Sequence, residues 1–324
     1  MADQHRILVT GSLAWDQIMD FPGNFKDHIL PDKAHVISIS FLVTQLKKQR
    51  GGCSANIAYS LALLGERPTI LAAAGSDFTD YRAFLDSKGI DTRGIRMFAD
   101  ELTASCFITT DKVDNQITGF FPGAMKRAAE LSVKTDAFPK GEKAEIAIIS
   151  PDDPGAMLRH ARECRESGLP YIYDPSFQVT AMDGPTLLEG SKGAKALMLN
   201  DYEMAVFQEK TKLSDDGVLD IVEFAVVTLG EKGSEIRRKG KPTIVIPPAK
   251  AEKVVDPTGA GDAYRAGFVS GLARGFSFES CGRMGSIASV YAVEQYGTQV
   301  HSYTRDEFLK RYRANFGSEP SVNG

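Results

Sequence analysis

Val255-Asp256-Pro257-Thr258-Gly259-Ala260-Gly261-Asp262-Ala263-Tyr264-Arg265-Ala266-Gly267-Phe268 passes from a polar, glycine-punctuated turn into small and apolar residues at helical spacing. This is the pattern of a loop feeding a helix. Gly259 and Gly261 carry no side chains, so their amides can approach an anion closely, and the helix start adds unpaired N–H groups and the positive end of its dipole. Asp262 would be repelled by a phosphate bound there unless its carboxylate takes a proton from an attacking hydroxyl. A base beside an anion hole suggests phosphoryl transfer, although an ordinary N-capping Asp after a glycine turn would use the same letters.

The longer string from Asp256 to Phe268 resembles the C-terminal signature of the ribokinase-like (PfkB-type) carbohydrate and nucleoside kinases. That resemblance implies that Asp262 is the catalytic base and that Gly259, Ala260 and Gly261 complete the anion hole. It also implies an α/β fold with a mostly parallel central sheet, helices on both faces, and a small β-sheet lid over the acceptor.

Composition is compatible with that reading. At 324 residues and 43% hydrophobic content, the chain can bury a large core in one α/β domain. A formal net charge of -4, with charges interspersed, offers no basic footprint for nucleic acid. Small-molecule partners are expected. The N-terminus lacks the apolar core of a signal peptide and no run is long enough for a membrane span, so a cytoplasmic protein is expected. Cys53, Cys106, Cys164 and Cys281 lie far apart without metal-ligand spacing and read as free thiols.

Outward from the signature, short apolar runs alternate with helical stretches. Arg6 to Thr10, Thr69 to Gly75, Glu145 to Ser150, Pro170 to Asp174, Ala196 to Leu199 and Phe224 to Thr228 predict buried strands. Asp77 to Gly89, Pro154 to Ser167, Asp201 to Lys210, Ala263 to Arg274 and Cys281 to Tyr296 predict helices. This rhythm predicts a parallel sheet covered on both faces, with functional groups at the strands' C-terminal ends, where Asp174, Asn200 and Thr228 fall. Val36 to Phe41 alternates like a half-exposed strand, and Ser105 to Thr110 and Gln116 to Phe121 flank a turn at Asp114-Asn115. These pieces predict a lid over 17–49 and 99–124, with 1–16, 50–98 and 125–324 forming the core.

Further candidates come in family order. Asp16, expected just past the first strand, would accept hydrogen bonds from two sugar hydroxyls; a surface turn Asp reads equally well from the residues alone. Trp15 beside it reads as packing. Gly51 and Gly52 resemble the family's lid hinge and sugar contact, and Asn56 would bond a hydroxyl through its amide. Asn200 and Glu203 resemble the family's Asn-x-x-Glu element, which orders Mg²⁺ and phosphate through water; a capped helix with an acidic first turn predicts the same letters. Thr228, Gly230 and Gly233 resemble the nucleotide-binding turn. Ala288, Ala292 and Gly297 would give a flat adenine room, or serve as close-packing residues. The resemblance also places a monovalent cation, K⁺, around Asp256 and Thr258, while Lys126 and Arg127 read as solvated surface or as groups that reach transferred phosphate.

The activity implied is an ATP- and Mg²⁺-dependent kinase. Within the family, Asp111 to Ala124 and the Asp-Ala-Tyr-Arg-Ala-Gly-Phe variant look most like prokaryotic adenosine and nucleoside kinases. Phe107, Phe120, Phe121 and Phe177 are candidates to stack a nucleobase, or to pack within the lid or core. Phosphorylation of a nucleoside 5′-hydroxyl, adenosine first, is therefore expected; ribose or another furanose is second, and a non-catalytic sugar- or nucleoside-binding protein third. Monomer and homodimer through the lid both remain open.

Overall fold

A computed structural model describes residues 4–28, 40–113, 115–138 and 141–322. In chain order the strands are β1 (Arg6–Thr10), β2 (Ala14–Asp20), β3 (Gln45–Gly51), β4 (Arg67–Gly75), β5 (Ile95–Phe98), β6 (Ala104–Thr110), β7 (Gln116–Phe121), β8 (Ile146–Ile149), β9 (Tyr171–Tyr173), β10 (Ala196–Asn200), β11 (Phe224–Thr228), β12 (Ser234–Arg237) and β13 (Ile244–Ile246). The helices are α1 (Cys53–Leu63), α2 (Thr79–Ser87), α3 (Pro154–Ser167), α4 (Gly184–Ser191), α5 (Asp201–Thr211), α6 (Asp215–Ile221), α7 (Ala260–Ala273), α8 (Phe278–Val293) and α9 (Arg305–Phe316).

Nine strands form one sheet in the order β13-β12-β11-β10-β9-β8-β1-β4-β5, parallel except at the β12–β13 edge. Successive residues of these strands point to opposite faces, and both faces are apolar. Ile7, Val9, Ile148, Met198 and Val226 pack on one side with residues of α1, α2, α7 and α8. Leu8, Ile149, Leu197, Leu199 and Val227 pack on the other with residues of α3, α4, α5 and α6. The predicted parallel sheet is therefore the observed one.

The second sheet has four strands in the order β3-β2-β6-β7. β2 pairs antiparallel with β3 and parallel with β6, and β6 pairs antiparallel with β7. Its outer strand β7 is exposed along its length. Two findings depart from the sequence reading. Asp16 lies within β2 rather than in a turn after β1, and Gln45–Gly51, rich in exposed polar residues, forms β3. The expected strand at Val36 to Phe41 lies mostly outside the described residues, as does Asp114 of the expected turn.

Gly52 joins the sheets. Its φ is +94°, and a Cβ there would stand 2.6 Å from Ala14 N and Ser12 O. Only glycine lets β3 enter α1 this close to the β1–β2 connection. Among the described residues, no helix is long and apolar enough to cross a membrane.

Candidate active site

α7 starts three residues before the sequence predicts, which puts Asp262 in its first turn and Gly259 at its N-cap. Gly259 has a φ of +79°, the left-handed region that glycine tolerates, and closes the turn from Pro257. The amides at this helix start have no side-chain cap. Ala260 N donates to the Pro257 carbonyl at 3.2 Å, and the amides of Gly261 and Asp262 are left as donors for an anion.

Asp262 is half-buried and accepts a hydrogen bond from Asn56 Nδ2 at 2.8 Å, across 206 residues of chain. Gln299 Nε2 donates to Asn56 Oδ1 at 2.8 Å and also to the Tyr81 hydroxyl, which donates to the Gly51 carbonyl at 2.8 Å. Helix α1, the end of β3 and α7 are thus tied through one amide chain. Burial pushes the Asp262 carboxyl up; Arg265 and the Asn56 amide pull it down, and Glu203 pushes it up again. A carboxylate raised from its ordinary value is a stronger base.

Asp16 faces the same space from β2. A Cβ on Gly51 would stand 3.0 Å from its Oδ1, so this glycine leaves room for the carboxylate. Burial, then Asp262 and Asp256, push Asp16 up to about 6. Asp16 and Asp262 repel one another, and hydroxyl donors would relieve that repulsion. Trp15 is buried in the core against Tyr81, as its packing reading expects. Phe107, Phe120 and Phe121 are exposed on β6 and β7, and Phe177 is exposed in the turn after β9.

Asn200 and Glu203 form a capping box at the start of α5. Asn200 Oδ1 accepts from Glu203 N at 2.7 Å, Glu203 Oε2 accepts from Asn200 N at 2.9 Å, and Ser176 Oγ donates to Glu203 Oε1 at 3.0 Å. The carboxylate is pinned by the helix it caps. Ser176 adopts a φ of +43°, uncommon for a residue with a side chain. Thr228 ends β11 next to a 3-10 turn over Gly230–Lys232, and Gly233 turns at φ +91° against the Ile246 carbonyl.

Asp256 closes its own loop, accepting from Thr258 N at 2.9 Å and from Gly297 N at 3.1 Å. Thr298 Oγ1 donates to the Arg50 carbonyl at 3.0 Å, so this segment also touches β3. Ala288 and Ala292 are fully buried in one cluster with Phe308 and Tyr312 of α9. Lys126 pairs with Glu101 at 2.8 Å, and Arg127 with Glu130 at 2.7 Å, which leaves both basic groups in surface ion pairs. Among the described residues, no group of three or more His, Cys, Asp or Glu side chains is placed to hold a metal ion. The sequence reading missed Gln299, Tyr81 and Ser176, whose types carry no chemical signature and whose roles come from distant contacts.

Residues 22–305 match the model of the pfkB family carbohydrate kinases. The nucleoside kinase of Methanocaldococcus jannaschii is 34% identical over 274 residues, 84% of this chain and 88% of that protein. The solved structure of Burkholderia thailandensis nucleoside kinase in complex with inosine has a TM-score of 0.86 at 35% identity, covering 97% of this chain and 99% of that one. Its complex with ADP-inosine is 36% identical, with a TM-score of 0.85 and 98% coverage of both chains. The Haemophilus influenzae ribokinase is 27% identical over 80% of this chain and 86% of that protein. The fold and its neighbours define a kinase that transfers phosphate to a hydroxyl group. The chain belongs to the pfkB family of carbohydrate kinases.

Proposed function

We propose that this protein phosphorylates the 5′-hydroxyl of a nucleoside with ATP, adenosine being the first acceptor to test. The observation that carries the reading is Asp262, set behind the glycine N-cap of α7, bonded to Asn56 and coupled electrostatically to Asp16. In this arrangement Asp16 accepts hydrogen bonds from the ribose hydroxyls while Asn56 orients both Asp262 and the sugar. The exposed aromatics of β6 and β7, Phe107 and Phe121, offer apolar faces to a nucleobase, which a free sugar would not use.

Asp262 takes the proton of the 5′-hydroxyl as its oxygen bonds to the γ-phosphorus of ATP. The bond from that phosphorus to the β–γ bridging oxygen breaks, and ADP leaves with the electron pair. The amides of Gly259 to Asp262 take up charge on the transferring group. Thr228, Gly230 and Gly233 line the nucleotide side. Mg²⁺ supplies charge neutralisation on the phosphates when bound; Glu203, with every bond to the cap already made, suits contact through water rather than direct ligation. Asp256, which accepts from Thr258 N and, across the loop, from Gly297 N, is with Thr258 where K⁺ would act.

The test is Mg-ATP-dependent turnover of adenosine, inosine, guanosine, cytidine, ribose, fructose and fructose 6-phosphate, each with and without K⁺. Nucleosides are expected to exceed free sugars in kcat/KM by on the order of 100-fold, since a buried base contributes contacts that a free sugar lacks. Preference for free ribose would overturn the nucleoside assignment and favour a furanose kinase.

A further inference from the structure

One helical turn beyond Asp262, Arg265 is buried and runs back along α7 beneath the anion loop, the direction helical side chains take. Its Nε and Nη2 both bond the Asp174 carboxylate at the end of β9, Nη2 at 2.7 Å. Asp174 is fully buried. The remaining nitrogen, Nη1, donates to no acceptor among the described residues and lies 2.8 Å from where a Cβ on Gly261 would stand. Beyond the helix's own backbone and the neighbouring residues, no other atom lies within 4 Å of that position, and Gly261 has no left-handed φ. What the glycine permits here is the approach of the guanidinium to the loop.

A two-point clamp on Asp174 fixes the guanidinium plane and leaves two N–H bonds facing the loop that accepts phosphate. We propose that Arg265 is a catalytic residue of the phosphoryl transfer: Nη1 donates to an oxygen of the γ-phosphoryl group as it moves to the acceptor, supplying the fixed cation of the anion hole. This rests on the reading of Gly259 to Asp262 as the anion site. No proton leaves Arg265 during the step. The acceptor proton goes to Asp262 and the electron pair to ADP, while Arg265 meets charge that shifts onto the phosphoryl oxygens. Burial works against the charged guanidinium, but Asp174 outweighs it and holds Arg265 protonated above its ordinary value. Asn56 bonds Asp262, and the charged or titratable groups coupled to it include Asp16, Asp174, Glu203 and the Cys53 thiol; Arg265 is the cation among them. Its charge therefore also favours the ionised, proton-accepting form of Asp262.

Removing Arg265 alone would strand Asp174 as a buried unpaired charge, so the test pairs Arg265→Gln with Asp174→Asn. Calorimetry would follow adenosine, ADP and a non-hydrolysable ATP analogue, and turnover would be followed across pH. The expected result is a folded protein with unchanged adenosine and ADP affinity and a kcat lower by about 100- to 1000-fold. The analogue should lose its advantage over ADP, and the acidic limb of kcat should move to higher pH. A folded pair with kcat within about threefold of the parent, or one that loses adenosine binding in step with kcat, would overturn the proposal and make Arg265 a strut. If the pair does not fold, Arg265→Lys gives the same readouts, because one ammonium cannot bond Asp174 and reach the loop together. Asp262→Asn, measured in parallel, separates the two readings: survival of its activity would remove the base and leave the Arg265 result to stand on its own.

Discussion

The two sheets of this protein bury their surfaces differently. Strands of the nine-stranded sheet such as β1 and β8 are closed to solvent on both faces, and Ile7, Leu8, Val9, Ile148 and Ile149 are each 0% exposed. The four-stranded sheet leaves Phe107 at 41% and Phe121 at 43% exposed. A sheet with both faces covered is a scaffold. A sheet that keeps phenylalanines in water has apolar surface still to bury, and it carries Asp16 on β2.

Three substitutions would break or sharpen that contrast, beginning at the joint. Gly52→Ala adds a Cβ 2.6 Å from backbone atoms and holds a strained φ of +94°. A loss of about 3 kcal/mol is expected, read as an earlier thermal or denaturant transition. A variant as stable as the parent would show that the β3–α1 junction can shift without cost.

Within the scaffold, Asp152 is buried with Oδ2 unpartnered, and burial pushes its carboxyl up to about 8. Its unfolded value is 3.8, so between about pH 4 and 8 the folded chain holds the extra proton and stability falls as pH rises. Asp152→Asn removes that slope. The variant should match the parent near pH 4 and exceed it at pH 8, followed by melting temperature across pH. A variant that loses stability at pH 8 would mean that the carboxylate is paired or hydrated.

The smallest effect belongs to the lid. Phe121→Ala should raise the adenosine KM by about tenfold, the value of one aromatic contact, and leave the melting temperature unchanged. A lowered melting temperature with unchanged KM would make Phe121 a packing residue of the lid.

The scaffold was legible because doubly buried strands spell continuous apolar runs, and β1 and β11 have the bounds their residues predict. β3 was not legible: Gln45–Gly51 places exposed Lys and Gln side chains in a strand, so no alternation marks it. α9 hides similarly, burying only Phe308 and Tyr312 among charged residues. In the site, Gly259 and Asp262 stand out by type and spacing. The Asn56–Asp262 bond spans 206 residues and the Arg265–Asp174 pair spans 91, so neither partner could be read from local sequence. The Asn200–Glu203 spacing fits both a capping box and a site beside bound phosphate; the structure shows the cap, and the cap holds the carboxylate in place.

The central claim is tested most directly by Asp262→Asn, measured for both turnover and acceptor binding. Asn can still accept the Asn56 hydrogen bond but takes no proton from a hydroxyl. The account predicts kcat lower by about 1000-fold or more, with adenosine affinity by calorimetry within about threefold of the parent. Turnover near the parent rate would contradict it and require another base.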